Sequence, residues 1–468
     1  MKSVNKNRVL IGTKIKLNLT NILFFLLNIF HIILASTSTI DVRDTGILRY
    51  QISFFSSFNY QEFILASVLL VLQFIISYII LFRRFRKSNL AQINELGLVG
   101  DNNEEIRKNL RLDPKLIYQW VVEEAEKYKI KSIKRVYLTN TSIPNALTID
   151  IVPLPLIRSS WIVLDANVIE ILDEREIKAV IAHELGHVKR LDSLVNIFRY
   201  GVNYFVFIAY SFVFLEMLDK LIIYRPADGT TPLTITLRVG FVLIFILILI
   251  GFTIINRLIM NLSRRQAELM ADYYAAKKIG KNHIINALIL LGQRIDVITA
   301  FGTEFKWLGK RENKTDVTRE FLQGIKDLPP EELSKEISRK KALEIYVHQR
   351  LKNLKEDLFV PITDEEITKL ADEACAKLLG KREEEIEKGL IKDRKLASEL
   401  QKLTIDWLTL DKDQDQYLKD EEIDQLIKTI ISNPSKELFE SDLYQRRTAL
   451  LKDHPSMKDR ILFVYYSS

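Results

Sequence analysis

Cysteine is nearly absent: one residue, Cys375, stands in a chain of 468. A lone thiol closes no intramolecular disulfide and builds no Cys-rich zinc cage, so neither a disulfide framework nor a cysteine metal site is open to this chain. That suits a cytoplasmic setting for the soluble parts, and Cys375 itself reads as a small helix residue. A basic stripe interleaved with aromatics is also missing. The formal charge of +7 is modest, and the basic residues gather beside apolar runs, which argues against nucleic acid and for a membrane surface as partner. No internal repeat of fixed period is present. With 48% hydrophobic and 27% charged residues, the chain is neither a pure membrane bundle nor a disordered polymer. Membrane spans joined to soluble parts are expected.

Four apolar runs approach the roughly 20 residues needed to cross a hydrocarbon core: 19–36, 63–82, 201–218 and 239–256. The first follows Lys2, Lys6, Arg8, Lys14 and Lys16 and lacks a small-residue cleavage site, so it reads as an uncleaved anchor. Asn28 and His31 inside it read as bundle-facing or interfacial. The second run ends in RRFRK at 83–87, and the positive-inside rule then places the N-terminus and everything after Phe82 in the cytoplasm, with loop 38–62 outside. Lys189, Arg190 and Arg199 precede the third run and Arg257, Arg264 and Arg265 follow the fourth, repeating the excursion. A buried helical hairpin in a soluble domain is the alternative for that pair. The localisation expected is a multi-pass cell-membrane protein with its catalytic part on the cytoplasmic side.

Between 89 and 190 the sequence turns globular. IYQWVVEEAEKYKI has helical periodicity, RVYLTN, ALTIDIV and SWIVLD read as strands, and Asp173 opens a helix that contains HELGH. Residues four apart on a helix differ by about 40° around the axis, so His183 and His187 aim two imidazoles at one point. Glu184 lies about 100° from His183, close enough to touch a metal-bound water without ligating the ion. Such an arrangement suits zinc, with neutral imidazoles as ligands and a carboxylate as proton acceptor. Only six histidines occur in the chain, so this spacing rarely arises by chance. Asp192 is the nearest further carboxylate, but on a continuous helix it falls about 180° away from His183; it reads as a helix-end or supporting residue. SRRQAELMADYYAA offers Glu268 and Asp272 on one helical face, Glu268 to complete a His-His-Glu set and Asp272 to hold a ligand imidazole in one tautomer.

HELGH, two apolar runs and then RRQAELMAD resemble the HtpX-like membrane zinc metalloproteases, relatives of the C-a-a-X prenyl proteases. PNAL at 144–147 is similar to that family's edge-strand motif, and HPSMKDRI at 454–461 to its closing segment. The resemblance covers residues 1 to about 300 plus the last fifteen. It implies zinc ligands His183, His187 and Glu268, the base Glu184, substrate contacts at Asn145 and Ala146, and His454 and Arg460 stabilising the oxyanion or the substrate. PNALTI departs from the family's usual Phe and Gly after Asn-Ala. The fold class expected is mainly α, with a small α+β zincin-like catalytic domain and four transmembrane helices. The organisation expected is two spans in 1–88, the first catalytic half in 89–200, a membrane hairpin in 201–256, a third-ligand helix of the catalytic domain in 257–304, a charged helical insertion with an EF-hand-like loop at 411–422 in 305–453 and a closing catalytic segment in 454–468. Polypeptides, above all misfolded membrane proteins, are the substrates the resemblance implies. A prenyl-protein processing protease and a non-catalytic calcium-responsive scaffold are the alternatives.

One motif lies outside the resemblance. DKDQDQYLKDEE at 411–422 has the spacing of an EF-hand loop. Asp411, Asp413 and Asp415 fall at positions 1, 3 and 5, Tyr417 offers a carbonyl at 7, Leu418 is the apolar residue at 8, and Glu422 stands at 12. Gln416 at position 6 and Lys419 at position 9 depart from the pattern, so weak calcium binding is expected beside zinc. No second loop is visible, so pairing would need another chain.

Overall fold

In a computed structural model the described residues are 6–37, 39–44, 48–53, 58–86, 90–94, 97–99, 110–139, 144–152, 158–192, 232–312, 363–387, 403–439, 441–442 and 454–468, with single positions at 344, 347, 348 and 351. The fold among them is mainly helical with a small mixed sheet. Helix α1 (Lys6–Thr37) leads to a short hairpin of β1 (Thr39–Asp44) and β2 (Leu48–Ser53), and α2 (Tyr60–Arg86) returns toward the globular part.

The sheet there has five strands: β3 (Leu90–Asn94), β4 (Gly97–Val99), β5 (Ile133–Thr139), β6 (Ala146–Val152) and β7 (Ser159–Asp165). Their order is β4-β3-β5-β7-β6, with β5 and β7 parallel and the other pairs antiparallel. This leaves β6, which carries Ala146, as an outer strand. Helix α3 (Pro114–Lys127) starts where Asp113 accepts the Lys115 N–H at 2.9 Å and a proline takes the first turn, whose N–H groups have no helical partner to lose. Its buried face, with Ile117, Trp120 and Val121, joins Ile162 and Leu164 of β7 in the main core. A short helix, α4 (Ala166–Ile171), links β7 to α5 (Glu174–Arg190), which carries HELGH.

The first turn of α5 stores an opposed charge. Glu176 is buried while its carboxylate accepts the Asp173 N–H at 3.0 Å, and burial pushes its pKa from 4.5 up to about 7 despite that bond. Because the folded value lies above the ordinary one, the associated stability is fully present below about pH 4.5 and is lost as pH climbs through 7. Glu176→Gln is therefore expected to raise stability at pH 8 by about 2 kcal/mol while changing little at pH 5. Thermal unfolding at the two pH values tests this, and an equal effect at both would contradict it.

Past the region 193–231, helix α6 runs unbroken from Pro232 to Ile279. At 1.5 Å per residue its 48 residues extend about 72 Å. The fourth apolar run and the residues that carry Glu268 are one continuous rod across position 256/257. Helix α7 (Lys281–Glu312) follows after Gly280, whose φ of 110° makes the left-handed corner. It crosses the expected boundary at 304/305 too. Helix α8 (Asp364–Glu387) begins with a capping contact, the Thr363 N–H donating to Glu366 Oε2 at 2.9 Å. Cys375 is buried there beside Ala371 and Val347. A 3-10 turn (Trp407–Leu410), helix α9 (Asp420–Ser432) and helix α10 (Met457–Ser467) complete the described chain. Trp407, Leu418, Ile423 and Leu426 join the same core as α5 and α7, so the 403–439 segment packs onto the catalytic part.

The apolar runs 19–36, 63–82 and 239–256 lie within α1, α2 and α6; the run 201–218 lies outside the described residues, as do the side chains of Asn28 and His31. Among the described residues one stretch, Asn7–Leu27 of α1, is long and apolar enough to cross a membrane. It starts at Asn7, earlier than the run read from sequence, and four spans are not borne out. Large apolar side chains are nevertheless exposed along α2, such as Val68, Leu72 and Ile76, and along α6, such as Leu243, Leu247 and Ile250. Near its start α1 packs through Leu17 against Ala267 and Met270 of α6 and Phe463 of α10.

Candidate metal centre

The buried face of α5 presses Ile177, Ile181, Leu185 and Val188 into the core, each aliphatic side chain contributing about 1.5–3 kcal/mol through burial. This packing fixes the helix rotation that turns His183 and His187 toward α6. Gly186 sets how close α6 comes, since an added Cβ there would lie 3.2 Å from the Ala271 Cα and 3.4 Å from its carbonyl oxygen. The glycine inside HELGH therefore belongs to a helix-helix contact, a role its sequence position does not reveal.

His183 Nε2 and His187 Nε2 stand 3.1 Å apart, and Glu268 of α6 brings Oε2 to 3.4 Å from the first and Oε1 to 3.6 Å from the second. Four-coordinate zinc with nitrogen and oxygen ligands at about 2.0–2.2 Å separates those ligand atoms by about 3.4 Å. The three side chains fit such an ion, and each imidazole has its other nitrogen engaged. His187 Nδ1 lies 2.9 Å from Asp192 Oδ2. His183 Nδ1 lies 2.8 Å from Asp272 Oδ1, an ion-pair contact off the line of a hydrogen bond.

The reading of Asp192 as facing away is corrected here. It assumed a continuous helix, but α5 ends at Arg190 and Leu191 takes φ 62°, ψ 28°. That left-handed residue folds the chain back and returns the Asp192 carboxylate to His187. Arg190 pins it, donating to Asp192 Oδ1 at 3.2 Å and to the Ala267 carbonyl at 3.0 Å.

Asp272 is fully buried and Arg460 of α10 clamps it, with Nε to Oδ2 and Nη2 to Oδ1 both at 2.7 Å. Burial works against the Asp272 charge, yet the Arg460 guanidinium and then His183 hold its pKa below the ordinary value. The same balance acts on His183, where burial opposes charge but Asp272 and then Glu268 push its pKa up to about 10. Glu268 is held well below its ordinary value against burial, by His187 first among its partners. These carboxylates favour positive charge at the point where the imidazoles meet, which is the demand a bound cation answers. Arg460, expected at the oxyanion or the substrate, borders the cleft and spends Nε and Nη2 on Asp272 behind His183.

Glu184 is fixed by a residue that sequence reading did not single out. Thr148 of β6 donates from Oγ1 to Glu184 Oε2 at 2.9 Å. The available signal was alternation: Ala146, Thr148 and Asp150 share one face of ALTIDIV. Asp150 on that face is buried and bonded to Arg158, Nη2 to Oδ2 at 2.7 Å, and Arg158 also donates to the Val188 carbonyl. Edge strand and motif helix are thereby locked together.

A cleft opens over these groups, bordered by Asn145 and Ala146 on the strand side, Leu288 and Leu291 of α7 opposite, and His454. Asn145 is exposed while its carbonyl accepts the Asp165 N–H at 2.9 Å. His454 Nδ1 stands 3.6 Å from Glu268 Oε1 and its side chain is 64% exposed, so it sits at the rim within reach of an incoming molecule.

The calcium expectation meets a mixed outcome. Asp411, Asp413 and Asp415 do come together, each offering an oxygen within 4.8 Å of the others. Glu422, expected as the ligand at position 12, instead accepts the Lys412 N–H at 3.0 Å and the Lys419 N–H at 2.9 Å, because the start of α9 needs its exposed donors capped. The Tyr417 hydroxyl pairs with His283 Nδ1 at 3.0 Å.

The chain matches peptidase family M48 over residues 118–356. It is 28% identical over 150 residues to a Protease HtpX homolog of Sulfurihydrogenibium sp. (strain YO3AOP1), covering 31% of this chain and 45% of the relative. To Protease HtpX of Acinetobacter baylyi it is 29% identical over 152 residues, 32% of this chain and 48% of that protein. A CAAX prenyl protease 1 homolog of Taenia solium shares 28% over 119 residues, 25% of this chain and 24% of the relative. The chain thus spans less than half the length of these curated relatives. No solved structure matches it. With the match running over half of its 468 residues, the chain belongs to peptidase family M48, whose HtpX-like branch it resembles.

Proposed function

We propose that the chain is a membrane-embedded zinc endopeptidase that cuts extended polypeptide at the cleft between β6 and α7. The observation that carries this reading is the convergence of His183, His187 and Glu268 beside a carboxylate, Glu184, that the edge strand itself positions. Zinc, when bound, acidifies a water molecule and polarises a carbonyl. Glu184 accepts the proton of the attacking water on one carboxylate oxygen while Thr148 holds the other, and later delivers that proton to the leaving amine. The open edge of β6 pairs with the substrate backbone near Asn145 and Ala146, which aligns the scissile bond along the strand. His454 at the rim donates to the carbonyl oxygen as negative charge develops there. Asp192 and Asp272, with Arg460 behind the latter, keep the two imidazoles turned inward.

Exposed apolar side chains on α2 and on the first half of α6 support embedding in a bilayer, since patches of that extent are unfavourable in water. From the end of the fourth run at residue 256, Glu268 lies about 18 Å along the helix axis. The site accordingly stands just clear of the bilayer, on the side carrying RRFRK and the basic N-terminus, which is the cytoplasmic side by charge. Misfolded membrane proteins and their loops are the substrates this position suits, with quality control as the role. The full chain purified in detergent is expected to carry one equivalent of zinc and to digest an unfolded casein-type polypeptide, both lost on strong chelation and restored by zinc. Protein that binds no zinc and digests nothing overturns the reading. Similarity to the CAAX prenyl protease 1 homolog favours a second substrate class, a prenylated C-terminal peptide, and preferential cleavage of that peptide over unfolded chains would select it.

A further inference from the structure

The loop at 411–422 belongs to none of this chemistry, yet it is bolted to the cleft. Gln414 and Gln416 both take left-handed backbone, φ 58° and 61°, the reversals that curl the chain around the point where Asp411, Asp413 and Asp415 meet. Asp411 is 5% exposed. Its Oδ2 accepts the Gln416 N–H at 2.8 Å, while Oδ1 is buried with no hydrogen-bond partner among the described residues. A buried carboxylate oxygen left this way is costly, and a cation at the meeting point would satisfy it. Lys419, at position 9, meanwhile lays its ammonium group against Asp413 and stands 3.8 Å from Asp415. It supplies positive charge to the exposed pair but does not relieve Asp411.

Leu418, at position 8, is fully buried. In paired EF-hand loops the backbone at this position bonds to a second loop. Here the side-chain amide of Asn286 on α7 takes that place, its Oδ1 accepting the Leu418 N–H at 2.8 Å and its Nδ2 donating to the Leu418 carbonyl at 3.0 Å. Asn282 adds a bond to Asp420 at 2.8 Å, and His283 the bond to Tyr417. The next residues of the same helix, Ala287, Leu288 and Leu291, line the cleft.

We propose that the 411–422 loop is a calcium site, coupled through Asn286 to the α7 wall of the cleft, so that calcium occupancy stiffens the surface against which substrate lies. The regulatory meaning rests on the peptidase reading above; the calcium site and its coupling to α7 do not. Calcium enters by displacing Lys419 from Asp413 and drawing Glu422 off the loop backbone.

The test is calcium titration of the full chain in detergent by calorimetry, with hydrogen exchange of α7 residues 282–295 followed in parallel. One calcium is expected to bind with Kd on the order of 10⁻⁴ M, the weak end of the range for such loops. Lys419→Ala, which removes the competing ammonium, is expected to tighten it about tenfold. Asp413→Asn with Asp415→Asn, both exposed and so harmless to the core, is expected to abolish it. Calcium should slow exchange across 282–295 several-fold in the wild type and not in Asn286→Ala; Asn286→Asp, which keeps the acceptor for Leu418 but loses the donor, supplies a milder variant should the alanine protein fail to fold. Absence of binding, or binding untouched by the Asp413/Asp415 change, overturns the site. Binding without slower exchange in α7, or slower exchange that survives in both Asn286 variants, overturns the coupling. Neither readout needs peptide cleavage, so failure of the peptidase reading would leave both standing.

Discussion

Glu184→Gln is expected to leave one zinc bound and to lower kcat about 10³-fold or more with KM little changed, a loss of about 4 kcal/mol from the transition state. Glutamine nearly matches the carboxylate in size, and its amide oxygen can still accept the Thr148 hydroxyl that fixes Glu184 at 2.9 Å. What it cannot do is take a proton from water and return it to an amine. The substitution therefore separates chemistry from construction, because the three ligand side chains and their partners are untouched. Thr148→Val should give a smaller, graded loss with an altered pH profile, since it frees the carboxylate without removing it. A Glu184→Gln protein that kept zinc and cleaved polypeptide within a few-fold of wild type would falsify the assignment of the base. One that lost zinc would instead show the side chain to be part of the binding set.

What the sequence discloses about this site follows the range of the interactions involved. His183, Glu184 and His187 sit on one helix, so their geometry is a local consequence of 100° per residue and is legible from spacing alone. Glu268 and Asp272 obey the same rule on α6, although their meeting with the histidines depends on tertiary packing. Where local reasoning assumed too much regularity it failed. Asp192 was turned away by a helix that in fact stops at Leu191. Thr148 and Gly186 escaped notice because their roles belong to the contacts of α5 with β6 and α6, which no single stretch encodes. The lone loop at 411–422 was legible as a pattern, but that an asparagine on α7 would take the place of its missing second loop was not.

Removing the guanidinium from Asp272 is expected to be the most damaging single change to stability. Arg460 donates two hydrogen bonds of 2.7 Å to Asp272, and the carboxylate is fully buried. Breaking one side of such a pair leaves a buried charge without its partner, at a cost of about 3–5 kcal/mol. Arg460→Met should therefore lower thermal stability steeply, and since this bond ties α10 to α6, the C-terminal segment should become protease-sensitive first. Asp272→Asn alone should strand the arginine and also slacken His183, weakening zinc about 10- to 100-fold in a chelator competition. Combining Asp272→Asn with Arg460→Met removes both charges together, so the double variant should be more stable than the sum of the single losses predicts, by about 2 kcal/mol or more. Zinc affinity should not recover with it, because the oxygen facing His183 at 2.8 Å no longer carries charge. Strictly additive stability losses would mean that the pair contributes no coupling. Full zinc affinity in Asp272→Asn would mean that His183 is oriented by something other than this carboxylate.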